Sequence, residues 1–304
     1  MPAELPPSID PRAAERWALH PQSVSPWLHE EIGRRMQERL QWIRLQPGAW
    51  TDWEPVRGGL QAHAAVVQRY PQARSWIVEP TAQRQRAAQA ALQSPWWRPA
   101  RWLAPTAQAG DPPDGASDLV WANMALHMAA DPGALLGRWL RMLAVDGFLM
   151  FSCLGPDTLL QLRGVYAEMG WPEPAHNFTD MHDWGDMMLT AGYAEPVMDM
   201  ERITLTYTSA ERLLSELRGL GRNLQPQRFA GMRGRGWKDR LLQAVSGLGD
   251  GASGDGSIAL TFEVIYGHAL KPQPRVLVQS ETQLSLDDMR RILKQGKRDP
   301  AQTR

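Results

Sequence analysis

The chain has one cysteine, no net charge and no long apolar run, and each shortage excludes something. Cys153 alone cannot close an intrachain disulfide, which agrees with a reducing compartment, and its place at the end of an apolar run reads as a buried structural thiol rather than a nucleophile. Lys and Arg total 33 and Asp and Glu total 33, so no field of the whole molecule draws it to nucleic acid or a membrane, and any charged partner must be met locally. Nowhere do about 18 consecutive apolar residues occur. The start, Met1-Pro-Ala-Glu-Leu-Pro-Pro, lacks the basic and apolar parts of a signal segment, and the expectation is a cytoplasmic protein without a membrane span. Phe and Tyr number five each, against 14 Trp scattered along the chain, which suits core and groove packing.

What is present is enough for one large core or two modest ones: 304 residues, 43% hydrophobic and 22% charged. Trp27, Leu28, Ile32, Met36, Leu40 and Ile43 recur at three- and four-residue steps, the mark of an amphipathic helix that Pro47-Gly48 ends. Strands are expected at Trp50–Trp53, Ser75–Val78, Arg101–Leu103, Asp118–Ala122, Phe148–Cys153, Val197–Tyr207 and 257–270. Helices are expected at 60–70, 81–92, 132–143, 158–169, 180–191 and 209–220, with Gly192 stopping the fifth of these. Ala109–Ser117 and 248–256 read as loops. The run from Asp118 to Cys153 is strand, loop, helix, turn and strand, a right-handed parallel β-α-β unit. Such alternation predicts an α/β fold with a doubly wound, mostly parallel seven-stranded sheet. Residues 1–23 form an N-terminal extension on this reading, 24–271 the domain, with helical cover segments near 158–192 and 209–245, and 272–304 a flexible tail.

In open parallel sheets ligands lie beyond the carboxyl ends of the strands. Glu79 follows the second strand, where one carboxylate can accept from both ribose hydroxyls of an adenosine cofactor. A solvated acid at a strand–helix turn is the equally available plain reading. Asn123 leaves the fourth strand, and Ala125, Leu126, His127 and Met128 after it can line a cleft. His127 has no Asp, Glu or second His at ligand spacing, so a metal is not expected.

The Asp118-Leu-Val-Trp-Ala-Asn run with Phe148–Cys153 resembles the fourth and fifth strands of class I S-adenosylmethionine-dependent methyltransferases. Further segments narrow the likeness: Trp27-Leu-His-Glu-Glu-Ile, Phe151-Ser-Cys-Leu-Gly-Pro-Asp-Thr-Leu-Leu-Gln-Leu-Arg163, Asn177-Phe-Thr-Asp-Met-His-Asp-Trp-Gly-Asp186, Ala191-Gly-Tyr193 and Leu217-Arg-Gly-Leu-Gly-Arg-Asn223. Over about residues 24–270 the chain is similar to the biotin-pathway malonyl-acyl-carrier-protein O-methyltransferase family, and to mitochondrial relatives that assist respiratory complex I assembly. The resemblance implies a Rossmann-like fold, S-adenosylmethionine as cofactor and the free carboxylate of malonyl-acyl-carrier protein as acceptor. An alternative is a methyltransferase-like binding or assembly factor with lost or altered cofactor use.

Against the family's Asp-x-Gly-x-Gly-x-Gly turn stands Asp52-Trp-Glu-Pro-Val-Arg-Gly58. Asp52 and Gly58 keep register, whereas Glu54 and Val56 replace glycines and Pro55 stiffens the turn. No acid follows the expected third strand. The implied cofactor residues are Asp52, Gly58, Glu79, Asn123 and Leu126. An ionised carboxylate acceptor needs no general base, so catalysis can rest on alignment, with an arginine to hold the anion. Arg163 is the first candidate and Arg222 the second; Tyr166 and Asn223 rank below them, and a surface or capping role is the plain alternative for both arginines. From Arg218 to Arg240 the bases Arg218, Arg222, Arg228, Arg233, Arg235, Lys238 and Arg240 face one acid, Asp239. This is either a solvated face or a docking patch for an acidic acyl carrier protein; no nucleic-acid motif accompanies it.

Overall fold

A computed structural model describes residues 9–92, 107–249 and 256–274. Its centre is a seven-stranded sheet in the order β3-β2-β1-β4-β5-β7-β6. The strands are β1 (Ala49–Trp53), β2 (Arg74–Val78), β3 (Gln108–Ala109), β4 (Ser117–Ala122), β5 (Leu143–Leu154), β6 (Ala194–Tyr207) and β7 (Ile258–Leu270). β3, β2, β1, β4 and β5 run parallel, and β7 is antiparallel to both β5 and β6. The expected parallel pair is present, with Leu119 to Ala122 set against Phe148 to Phe151. β1 is buried at all five positions, as a strand covered on both faces must be.

Two expectations change. The strand expected at Arg101–Leu103 lies outside the described residues, and the third strand is instead a two-residue pairing at Gln108–Ala109, at the start of the stretch read as a loop. So short an edge carries no period for a sequence to display. Within the proline-rich start stands helix α1 (Pro11–Ala18), begun by the Asp10 carboxylate, which accepts from the Arg12 and Ala13 amides, and by Pro11 in the first turn.

One face of the sheet carries α2 (Trp27–Arg39), α4 (Leu60–Arg69), α7 (Leu160–Glu168), α9 (Ala210–Leu220) and α10 (Arg235–Ser246) around Leu28, Ile32, Met36, Trp50, Trp121 and Phe262. The opposite face carries α6 (Pro132–Met142) and α8 (Met181–Ala191), joined through Trp139, Trp184 and Met188. Helix α8 therefore does not belong to the cover: its stripe of Trp184 and Met188 matches the Leu136 and Trp139 stripe of α6 rather than the cleft side. Helices α3 (Pro55–Gly58) and α5 (Ala82–Leu92) stand over the ends of β1 and β2. No helix among the described residues is long and apolar enough to cross a membrane.

Helices α2 and α4 meet at Gly33, where an added Cβ would stand 2.5 Å from the Ala62 Cβ. Intrinsic propensity favours alanine in a helix interior by about 1 kcal/mol. Overpacking costs about 1–3 kcal/mol. Gly33→Ala is expected to destabilise despite its better propensity, while Gly164→Ala on α7, where nothing lies within 4 Å, is expected to stabilise. Urea unfolding of both variants checks this; a stabilised Gly33→Ala would mean that the two helices can separate at little cost.

Candidate functional site

The site is set by what happens where β1 and β2 end. β1 leaves the sheet at Trp53, and Glu54 turns the chain with φ +56°, its N–H donating to the Val78 carbonyl at 2.8 Å. Pro55 then opens the one-turn helix α3, so a helical turn occupies the place of a glycine loop. The Val56 N–H, unpaired within so short a helix, donates to Glu79 Oε1 at 2.8 Å.

Glu79 stands at the end of β2, as the sequence placed it; its Oε1 accepts from Val56, while its Oε2 is buried without a hydrogen-bond partner. Its Oε2 lies 2.8 Å from Arg84 Nη2, and both side chains are fully shielded from solvent. The same Arg84 nitrogen is 2.9 Å from Glu54 Oε2, and Arg57 Nη1 is 3.4 Å from that oxygen. Two acids and two arginines thus form one buried, charge-balanced cluster. Burial pushes the Glu79 carboxyl up to about 7 against the opposing pull of Arg84, and burial draws Arg57 down to about 10.

Helix α1 closes this cluster from above. Arg57 donates to the Trp17 carbonyl at 2.8 Å, and Arg84 donates to the Ala18 carbonyl at 3.1 Å. The Arg57 guanidinium carbon also sits 4.2 Å from the centre of the Trp17 ring.

The other expected cofactor residues are tied into the chain itself. Asp52 accepts from His63 at 2.7 Å on α4, and burial raises its pKa. Asn123 donates to the carbonyls of His29 and Gly58 and accepts from Ser152 Oγ, which clamps α2, α3 and the exit of β4 together. At Gly58 a Cβ would stand 3.0 Å from the Asn123 carbonyl oxygen, so this glycine serves an internal close approach. Leu126 is fully buried in the second core.

Under the cover lies a cavity of about 280 Å³, lined by His127, Tyr166, His176, Arg218, Arg222 and Trp237 among mostly apolar residues. His176 Nε2 lies 2.9 Å from the His127 carbonyl and must donate to it. Burial lowers both histidines, His176 to about 4, so they are neutral near pH 7. Arg163 does not offer its charge to this cavity. It pairs with Glu173 at 2.9 Å and donates to the His176 carbonyl at 2.8 Å, which holds the 173–176 loop. Arg222, exposed, makes no ion pair with the described residues, and its Nη1 donates to the Arg218 carbonyl near the end of α9 and to the Gly221 carbonyl at 2.8 Å. Asn223 donates to the Glu173 carbonyl, and Tyr166 packs edge-on against Trp171. Cys153 is fully buried, with its thiol pushed up by burial. No cluster of potential metal ligands occurs among the described residues.

A family model described as a methyltransferase domain matches residues 58–151. A malonyl-[acyl-carrier protein] O-methyltransferase of Gallionella capsiferriformans is 37% identical over 278 residues, covering 87% of this chain and 89% of that one. One of the same name from a Methylovorus strain is 36% identical over 254 residues, covering 82% and 84%. The chain belongs to this O-methyltransferase family. Among solved structures, the YcgJ protein of Bacillus subtilis superposes with a TM-score of 0.52 at 12% identity, over 79% of this chain and 99% of that one, a likeness of fold. The fold is that of the class I methyltransferases, whose cofactor is S-adenosylmethionine.

At the ends of β1 and β2 the buried Glu79 Oε2 has no hydrogen-bond partner and can accept from a ribose hydroxyl, with Arg84 2.8 Å away as its counter-ion. Sequence reasoning took Arg84 for a helix former in an Ala/Gln/Arg segment and gave Arg57, Trp17 and Asp10 no role. A usable signal was there: an acid at a strand end followed by an arginine in the first turn of the next helix can meet by geometry.

Proposed function

We propose that this chain transfers a methyl group to the free carboxylate of a malonyl group held on acyl carrier protein, the reaction in the names of its relatives. What supports the reading is identity of 37% over 278 residues, 87% of this chain and 89% of that relative. A carboxylate with a pKa of about 4 is ionised at pH 7 and needs no base. The neutral, buried His127 and His176 are consistent with a cavity that moves no proton.

The chain's own task is to bring the acceptor in and hold it. Arg222 takes precedence over Arg163 as the anion holder, because Arg163 already has Glu173 while Arg222 borders the cavity without a carboxylate among the described residues. A guanidinium suits a carboxylate by its paired donors. Arg218, Arg228, Arg233, Arg235, Lys238 and Arg240 would then meet the acidic carrier protein, acting mainly on the rate of encounter.

The test is incubation of the full chain with malonyl-acyl-carrier protein and S-adenosylmethionine, followed by mass spectrometry of the carrier. The expected product is a carrier heavier by one methyl in place of a proton, and a carrier bearing a simple monoacyl group is expected to stay unchanged. Arg222→Gln is expected to slow the reaction by at least about tenfold, equal to about 1.4 kcal/mol of lost charge-assisted hydrogen bonding. Complete absence of methylated carrier would shift the assignment to a binding or assembly factor.

A further inference from the structure

We propose that the Tyr166 hydroxyl donates to the thioester carbonyl of the bound malonyl group, and that this contact sets the preference for a malonyl thioester over other carrier-bound carboxylates. The proposal rests on the methyltransferase reading above. It adds the residue that meets the end of the acyl group opposite the carboxylate held by Arg222.

The chain has five tyrosines, and their hydroxyls have different fates. Tyr193 donates to the Leu136 carbonyl and Tyr266 to Glu201. The hydroxyls of Tyr70 and Tyr207 are sealed from solvent inside the protein. Tyr166 is the tyrosine that lines the cavity under the cover, half-buried, and its hydroxyl has no hydrogen-bond partner among the described residues. Its ring cannot swing away freely. Trp171 stands edge-on to it at 5.3 Å between centroids and Trp237 at 6.4 Å, so the phenol is presented from a fixed aromatic wall.

A malonyl thioester carries two oxygen-bearing ends separated by one methylene. The charged end suits a guanidinium, whereas the neutral carbonyl, once taken out of water, needs a donor that brings no further charge. Other polar side chains of the lining already have work: Asn223 donates to the Glu173 carbonyl and His176 to the His127 carbonyl. The cavity, about 280 Å³, is small enough that a three-carbon acyl group touches its walls at both ends. Burial raises the Tyr166 pKa, while the Arg233 guanidinium, laid against Trp237 and Phe229 at 4.2 and 4.3 Å from the ring centres, pulls the other way. The phenol therefore keeps its proton near pH 7 and donates. Such a bond is the same before and during methyl transfer to the far carboxylate, so it acts on KM rather than on kcat.

Steady-state rates of the full chain with S-adenosylmethionine test this on two carriers, one bearing malonyl and one a 2-carboxyethyl thioether, where a methylene replaces the thioester carbonyl and the free carboxylate is kept. Tyr166→Phe is expected to raise KM for malonyl-carrier protein about three- to tenfold, the worth of one neutral hydrogen bond, with kcat nearly unchanged. On the thioether the same variant is expected to behave as wild type, so that the preference between the two carriers shrinks by the factor lost. Phenylalanine keeps the ring and its two tryptophan contacts, and urea unfolding is expected to match wild type. Equal losses on both carriers would show that Tyr166 only packs, and wild-type kinetics on malonyl-carrier protein would show that its hydroxyl touches nothing; either result overturns the proposal and leaves the enzyme reading standing. If wild type methylates neither carrier, the enzyme reading and this proposal fall together.

Discussion

Arg84→Ala is expected to lower the unfolding free energy by about 3–5 kcal/mol, the usual result of removing one partner from a buried ion pair. Arg84 has no solvent-exposed surface and contacts two carboxylates, so its loss leaves Glu79 and Glu54 facing each other with only Arg57 near them, 3.4 Å from Glu54. Glu79 cannot keep its charge in that setting and takes a proton instead. The damage should consequently shrink when the pH is lowered toward 5, since the proton then costs less. Adding Glu79→Gln to Arg84→Ala is expected to recover more than half of the loss, because the stranded charge disappears with it. Urea unfolding of the two single variants and the double variant measures the coupling. Simple addition of the two single losses would show that the pair is not a unit.

Acid is expected to unfold the protein progressively between pH 6.5 and 4, through histidines rather than through surface carboxylates. Burial lowers His29 and His176 to about 4 and holds His127 well below its usual value. A histidine whose folded pKa lies below its unfolded value contributes stability above pH 6.5 and loses it as pH falls toward the folded value. At about 1.4 kcal/mol per pH unit, His29 and His176 each account for roughly 3 kcal/mol over that window. Glu79 works in the opposite direction. Its carboxyl is raised from 4.5 to about 7, so its contribution is present below 4.5 and lost as pH rises through 7. Asp52, whose carboxyl burial also raises, works in the same direction as Glu79, and the three buried histidines His29, His127 and His176 outweigh them and set the sign. The steepest loss should fall below pH 5, where the gain from Glu79 is nearly complete. Urea midpoints at successive pH values check this, and His176→Gln should flatten the slope. A protein equally stable at pH 4 and 7 would contradict the burial of these rings.

Much of the fold was legible because its signals are local. The i, i+4, i+8 stripe of Leu28, Ile32 and Met36 foretells α2, and the apolar runs at Asp118–Ala122 and Phe148–Cys153 foretell adjacent parallel strands, since helices must cover both faces. The family was legible for a similar reason: its segments lie in order along the chain. Helix α1 was hidden by the prolines around it, although Asp10 followed by Pro11 is a helix start by chemistry.

The sequence by itself determined the strand order's parallel core, the position of Glu79 at the end of β2 and the basic character of the 218–240 stretch. Only the tertiary structure decided what those groups touch. Glu79 is half of an ion pair because of where one side chain of α5 points, and that orientation is held by the Ala18 carbonyl of α1, 66 positions earlier in the chain. Arg163 and Arg222 are equivalent as letters, yet Glu173 neutralises the first and leaves the second beside the cavity. Periodicity carries burial because burial repeats along a helix or strand. The pairing of charges has no period, and depends on which distant segments the folded sheet brings within about 3 Å of each other.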